Sequence, residues 1–264
     1  MHYQVEARAR EQQLLISLGL ERGDTVADIG CGTGYFSSLM RERVTCVVGF
    51  DIDLASLRIA ERYSPEHDFV LSDATQLPLR DRVVTKLLCS EVLEHVSDDA
   101  RLTSECFRIL KIGGVFVCSS PNVAFPFRSK KSSHVTKGAE LHVRRGYSPV
   151  SLRELLMRAG FRSTHLSYAL SLLGTLIVEV LERTYTMMYG PLASQSELAR
   201  LNQSRIFKVL FPFLLFVVRV SFPKGLGGSI LVARALRPVE SGADPSRMRT
   251  LENRYLLRRG GYAS

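Results

Sequence analysis

The run Val26-Ala-Asp-Ile-Gly-Cys-Gly-Thr-Gly-Tyr35 limits what this chain can fold into more than any other stretch. Val26 to Ile29 carries two β-branched side chains just after Arg22-Gly-Asp24 and reads as a short buried strand. Gly30, Gly32 and Gly34 follow at once, and a helical pattern opens at Tyr35. A strand that feeds a helix through three glycines makes a tight turn. Its backbone can approach a ligand closely, and the helix beyond it offers N–H groups. A dinucleotide fingerprint needs Gly-x-Gly-x-x-Gly, whereas the spacing here is Gly-x-Gly-x-Gly, so the third glycine is out of place.

The next segments repeat the theme. Residues 5–20 read as an amphipathic helix that ends near Gly19 and Gly23. A helix follows the glycine turn through Arg43, and Thr45-Cys-Val-Val-Gly-Phe50 is a second strand ending at Asp51. An acid about 20 residues beyond the glycine turn stands where a ribose diol is accepted. Asp53 precedes the pattern Leu54–Tyr63 and suits its N-cap, which leaves Asp51 for the ribose. Phe69-Val-Leu71 is a third strand with Asp73 beyond its C-terminal end, where open α/β sheets bind ligands. Val83–Cys89 is the fourth, and it runs into Ser90-Glu-Val-Leu-Glu-His-Val96. A helix over Asp98–Leu110 stops at Lys111-Ile-Gly-Gly114, and Val115–Cys118 is the fifth strand. Strands alternating with helices at this spacing predict a parallel sheet with right-handed crossovers.

The glycine turn resembles the nucleoside-binding turn of the class I S-adenosylmethionine-dependent methyltransferases. The order of glycine turn, Asp51, Asp73, Ser90-Glu91 and Gly113-Gly114 resembles it as well. The segment from His142 to Phe161 resembles the ubiquinone-biosynthesis-like, type 11 small-molecule members. The resemblance implies a doubly wound α/β fold, a seven-stranded mainly parallel sheet with an antiparallel last strand. Phe161–Ser167 would be the sixth strand and Ser229–Ala235 the seventh. It implies S-adenosyl-L-methionine as cofactor, bound by Asp28, Gly30, Cys31, Gly32, Gly34, Asp51, Ile52, Asp73, Ala74, Ser90 and Glu91. Asp28 would order the glycine turn near the methionine end, and Asp73 would meet the adenine amino group.

Methyl transfer mainly requires nucleophile and methyl group to be held in line, with a general base added where needed. His142 and His95 are the base candidates, with His134 behind them; His95 is expected one turn into a helix after the fourth strand. A histidine that caps a helix or satisfies a loop reads the same way. Glu91 and Glu94 could instead hold a cationic amine. Residues 119–146 form a long basic loop, and a loop of that length in a compact domain is usually functional. Asn122, Phe125, Phe127, Lys130, Lys131, Lys137, Arg144 and Arg145 would give it an anionic, partly apolar substrate to hold. Ser148 to Gly160 is a capped helix with glycine at its end. No His or Cys cluster has metal-ligand spacing, so no metal is expected.

Three segments are expected: a cofactor-binding core over 1–167 and 229–236, an apolar helical insertion over 168–228, and a polar basic tail over 237–264. Residues 1–160 carry 21 Lys and Arg against 20 Asp and Glu, while residues 161–264 carry 14 against 6. The basic excess therefore coincides with the most apolar stretches. That combination suggests an anionic membrane surface before nucleic acid, and there is no appended RNA-binding module. In Ile206–Phe222 the longest uncharged piece, Val209–Val218, is shorter than the roughly 20 residues a bilayer span needs. Lys208, Arg219 and Lys224 could snorkel to head groups. Met1 to Arg10 is polar and charged, unlike a cleavable signal, and Cys31, Cys46, Cys89, Cys106 and Cys118 show no Cys-x-x-Cys pair. The reading is a cytoplasmic enzyme at the inner face of the membrane, with a lipophilic or lipid-linked acceptor methylated on oxygen. Two alternatives stand beside it. One is a soluble sugar or natural-product methyltransferase whose insertion is a lid or homodimer interface. The other is a cofactor-binding regulatory subunit.

Overall fold

The buried apolar runs of the N-terminal half become parallel strands because both of their faces are covered by helices. The computed structural model describes residues 2–125, 143–169 and 228–239, with only the backbone of residues 2–9. In chain order the elements are α1 (His2–Leu18), β1 (Thr25–Ile29), α2 (Tyr35–Met40), β2 (Cys46–Asp51), α3 (Leu54–Tyr63), β3 (Asp68–Leu71) and β4 (Val84–Ser90). Then come α4 (Asp99–Ile109), β5 (Leu110–Pro121), α5 (Pro149–Arg158), β6 (Arg162–Tyr168) and β7 (Ile230–Leu236). They form one seven-stranded sheet in the order β3-β2-β1-β4-β5-β7-β6. The neighbours from β3 to β5 pair in parallel, and β7 is antiparallel to both β5 and β6. This is the doubly wound sheet that the sequence predicts.

Side-chain alternation along the strands splits the core into two layers. Ala27, Ile29, Leu87, Cys89, Phe116 and Cys118 pack under α4 and α5 with Leu102, Cys106, Leu152 and Leu156. Val26, Leu88, Val115 and Val117 face the other way and pack under α1 and α2 with Leu14, Leu18 and Met40. Of the five free thiols four are buried and Cys46 is half-buried.

Three expectations are corrected. Lys111-Ile-Gly-Gly114 reads as a turn because of its paired glycines, yet β5 begins at Leu110 and runs through it. The ladder slips there, with Val84 opposite Leu110 and Lys86 opposite Val115, and Gly113 takes a positive φ of 75°. Arg237, assigned to a polar tail, is buried and donates to the carbonyls of Phe107, Arg108 and Leu110 at the end of α4. A guanidinium satisfies the orphan carbonyls of a helix C-terminus and offsets its dipole. Arg237→Ala should therefore lower stability by about 2–3 kcal/mol, as expected for lost hydrogen bonds to a charged group, read by urea unfolding. A change under about 0.5 kcal/mol would show that water replaces the guanidinium there. Finally, Tyr168 and Ala169 extend the sheet edge, and Gly228 accepts from Asn122, so both ends of the expected insertion belong to the domain. Residues 170–227 and 240–264 lie outside the described residues.

Candidate cofactor site

The glycine turn is built from φ angles that side chains avoid: 68° at Gly30, 53° at Gly32 and 77° at Gly34. The carbonyl of Phe50 in β2 holds it from one side, accepting from the N–H groups of Gly30 and Cys31. A Cβ at Gly30 would lie 2.2 Å from Val92, and one at Gly34 would lie 2.9 Å from Ala60. Those two glycines are demanded by packing within the protein. At Gly32 a Cβ would meet nothing within 4 Å, so the turn leaves an open cradle there.

Asp51 faces that cradle. Its Oδ2 accepts from the Gly32 N–H at 2.7 Å and its Oδ1 from the Asp53 N–H at 2.9 Å. Asp53 caps α3 through the N–H groups of Ala55 and Ser56, so the two acids divide the work between turn and helix. Ile52, between them, is 64% exposed and presents an apolar side chain at the same strand end. Asp73 lies exposed beyond β3, its Oδ1 accepting from the backbone and hydroxyl of Thr75, with Ala74 half-buried between them.

Asp28 sits below the turn. It is buried and accepts from the hydroxyl of Ser37 on α2 at 2.7 Å. Burial pushes its carboxyl up to about 7, with the Ser37 hydrogen bond opposing and the Asp51 charge adding to the rise. It therefore ties β1 to α2, whereas the N–H groups of the turn bond elsewhere. Cys31 is buried as well, and burial raises its thiol far out of the ionising range.

Across the crevice, beyond β4, Ser90 and Ser119 hydroxyls meet at 3.1 Å and Ser119 donates to Glu91 at 2.9 Å. Glu91 holds a φ of 57°, a strained conformation for a residue with a side chain. Glu94 is fully buried and accepts from Ser120. Burial first, and then the Glu91 charge, push its carboxyl up to about 8. A residue that sequence reasoning missed completes this wall: Arg10 of α1 places its guanidinium 3.6 Å from Glu91. One of two arginines, Arg8 and Arg10, in a helix carries no sequence signal of that role.

The acceptor-side expectations fare differently. His95 lies in a turn before α4 and not on a helix. Arg144 donates to the carbonyls of Leu93 and Ser97 and pairs with Asp99 at 2.8 Å, so it fastens the turn after β4. Asn122 is buried, its amide bonded to the Gly228 carbonyl and the Ala124 N–H. Phe125 is also buried, while Arg145 is exposed. Lys131 and His142 lie outside the described residues, as do His134, Phe127, Lys130 and Lys137. Among the described residues no three His, Cys, Asp or Glu side chains are arranged to hold a metal ion.

A glycine cradle faced by an acid at the end of β2, on this strand order, is similar to the nucleoside-binding end of class I, S-adenosylmethionine-dependent methyltransferase domains. Residues 27–118 match the type 11 family model described as "Methyltransferase domain". The chain is similar to a probable S-adenosylmethionine-dependent methyltransferase of Mycolicibacterium smegmatis, 34% identical over 139 residues, covering 53% of this chain and 52% of that one. It is also similar to the ubiquinone biosynthesis O-methyltransferase of Pseudomonas fluorescens, 35% identical over 108 residues, covering 38% and 45%. This chain thus spans about half the length of the curated relatives it matches. Among solved structures, phosphoethanolamine N-methyltransferase 2 of Haemonchus contortus with S-adenosyl-L-methionine superposes with a TM-score of 0.61. At 16% identity, over 87% of this chain and 52% of that one, the likeness concerns the fold.

Proposed function

We propose that this protein is an S-adenosylmethionine-dependent methyltransferase that methylates a lipophilic or lipid-linked acceptor on oxygen at a membrane surface. The open cradle at Gly32, faced by the Asp51 carboxylate, carries the cofactor half of this reading. The residues present fit the group. Asp51 can accept from both ribose hydroxyls, and Ile52 offers an apolar surface to a base. Glu91 and Arg10, opposite in charge, match the ammonium and carboxylate of an amino-acid moiety. The bound cofactor supplies an electrophilic methyl on a sulfonium, and the chain binds, orients and neutralises around it.

Asp51→Ala should weaken S-adenosylmethionine binding by about 1.5–3 kcal/mol, the range for hydrogen bonds to a charged group. The fold should persist, since Asp53 still caps α3. Calorimetry that returns an unchanged affinity would remove Asp51 from the site.

The acceptor half rests on the basic, apolar character of residues 161–264 and on relatives named for quinone and acyl-carrier-protein chemistry. These include a malonyl-[acyl-carrier protein] O-methyltransferase of Serratia marcescens, 35% identical over 98 residues. Among the described residues no helix is long and apolar enough to cross a membrane. Lys208, Arg219 and Lys224 would each add about 1 kcal/mol near an anionic surface, an attraction that salt screens. The protein is expected to sediment with anionic liposomes, to be partly released by high salt, and to transfer labelled methyl groups into a membrane lipid extract. Deleting residues 170–226 across a short linker should abolish sedimentation and spare cofactor binding. A discrete dimer that ignores anionic vesicles would make the insertion a dimer interface instead. Transfer to soluble acceptors alone would favour a soluble methyltransferase, and cofactor binding without any transfer would favour a regulatory subunit.

A further inference from the structure

Consecutive residues of α1 reach opposite walls of the crevice. Arg10 meets Glu91 beyond β4 at 3.6 Å. Glu11 accepts a 2.6 Å hydrogen bond from the hydroxyl of Tyr35, the first residue of α2, directly after the glycine turn. β1 and β4 are neighbours in the sheet, and α2 and α4 pack on opposite faces of it. This is where the strand order reverses, the place at which open α/β sheets bind ligands. The two contacts therefore straddle the site.

The remainder of α1 is held in another way. Leu14 and Leu18 are fully buried, and Gln13 donates to Ser167 of β6 at 2.8 Å. Firm anchoring begins at residue 13. The contacts at residues 10 and 11 lie ahead of it. Glu11–Tyr35 is at a wet rim, where Tyr35 is 46% exposed, whereas the Arg10 and Glu91 side chains are mostly buried. An exposed polar bond such as Glu11–Tyr35 breaks readily. The helix can release the crevice there while its buried half stays in place.

We propose that α1 is a clasp across the cofactor crevice, closed by Glu11–Tyr35 on one wall and Arg10–Glu91 on the other, and that its opening sets the rate of cofactor exchange. The proposal rests on the S-adenosylmethionine reading above. A ligand held between the glycine turn and Glu91 has α1 across its way in and out. A gate slows both directions, so loosening it raises both rate constants and leaves affinity nearly unchanged. A side chain that only touches bound ligand alters the exit rate and the affinity together.

Tyr35→Phe deletes a single exposed hydroxyl, and Glu11→Ala removes the carboxylate that accepts from it. Neither residue is assigned to the cofactor. The full-length protein is loaded with radiolabelled S-adenosylmethionine and chased with excess unlabelled compound, and association is followed by rapid filtration. Both variants should exchange about three- to fivefold faster in each direction, with Kd within about twofold of the parent. The double variant should be no faster than either single one, because both remove one bond. Exchange rates equal to the parent's, or a faster exit matched by lost affinity, would overturn the clasp while the cofactor reading stands. A parent protein that binds no S-adenosylmethionine overturns the cofactor reading and the clasp with it.

Discussion

Gly146→Ala is expected to destabilise the domain by about 3–5 kcal/mol. Two causes add. Gly146 has a φ of 119°, a conformation that costs a residue with a side chain on the order of 1–3 kcal/mol. A Cβ there would also lie 2.1 Å from the carbonyl oxygen of Pro121. That oxygen cannot retreat, because it accepts from the Tyr147 N–H at 2.9 Å in the bridge that joins Asn122 to Tyr147. Overpacking against backbone typically adds about 1–3 kcal/mol or more. Urea unfolding of parent and variant checks the value. A difference below about 1 kcal/mol would mean that the strand end and the segment before α5 part easily.

Asp28→Asn should raise stability at neutral and alkaline pH. Burial holds the Asp28 carboxyl at about 7, well above its value in an unfolded chain. Between roughly pH 4 and 7 the unfolded chain has released this proton and the folded one has kept it, so stability falls as pH rises through that window. Above about pH 7 the full penalty is present and no longer grows. Asparagine accepts from Ser37 as well as a carboxylate does and carries no charge to bury. The variant's advantage should therefore be near zero at pH 4, grow to about 2–4 kcal/mol by pH 7 at roughly 1.4 kcal/mol per pKa unit, and then level off. Denaturant unfolding across pH 4 to 8 measures it. An advantage that does not change with pH would contradict the burial of a titrating carboxyl.

The first, second, fourth and fifth strands were legible because a strand covered on both faces must be an apolar run, here bounded by turn residues; the polar sixth strand, Arg162–Tyr168, and the seventh were placed only by the family resemblance. The glycine turn, Asp51 and Asp53 were legible for a related reason: their work is local, within a few residues of a strand end. What escaped depends on partners distant in sequence. Arg10 matters through Glu91, and Arg237 through carbonyls at the end of α4. Arg144 looked like a substrate clamp because basic loop residues often are, whereas its guanidinium closes a turn some fifty residues upstream. Lys111–Gly114 misled because paired glycines mark turns far more often than a slip within a strand.

The antiparallel placing of β7 between β5 and β6 has an architectural consequence. Ala169 donates to Ile230 across the mouth of the β6–β7 hairpin, so the chain leaves and re-enters the sheet at one point. Closing a loop costs entropy that grows only with the logarithm of its length, about 0.6 kcal/mol per doubling. A flexible connection of some tens of residues at this point would therefore burden the sheet by only about 2 kcal/mol more than a tight turn would. The hairpin mouth works as a socket: segments of very different length and chemistry can be exchanged at it while the sheet and the glycine turn across it stay as they are. The length and chemistry of the chain at this point can thus vary without disturbing the register of β5, β7 and β6.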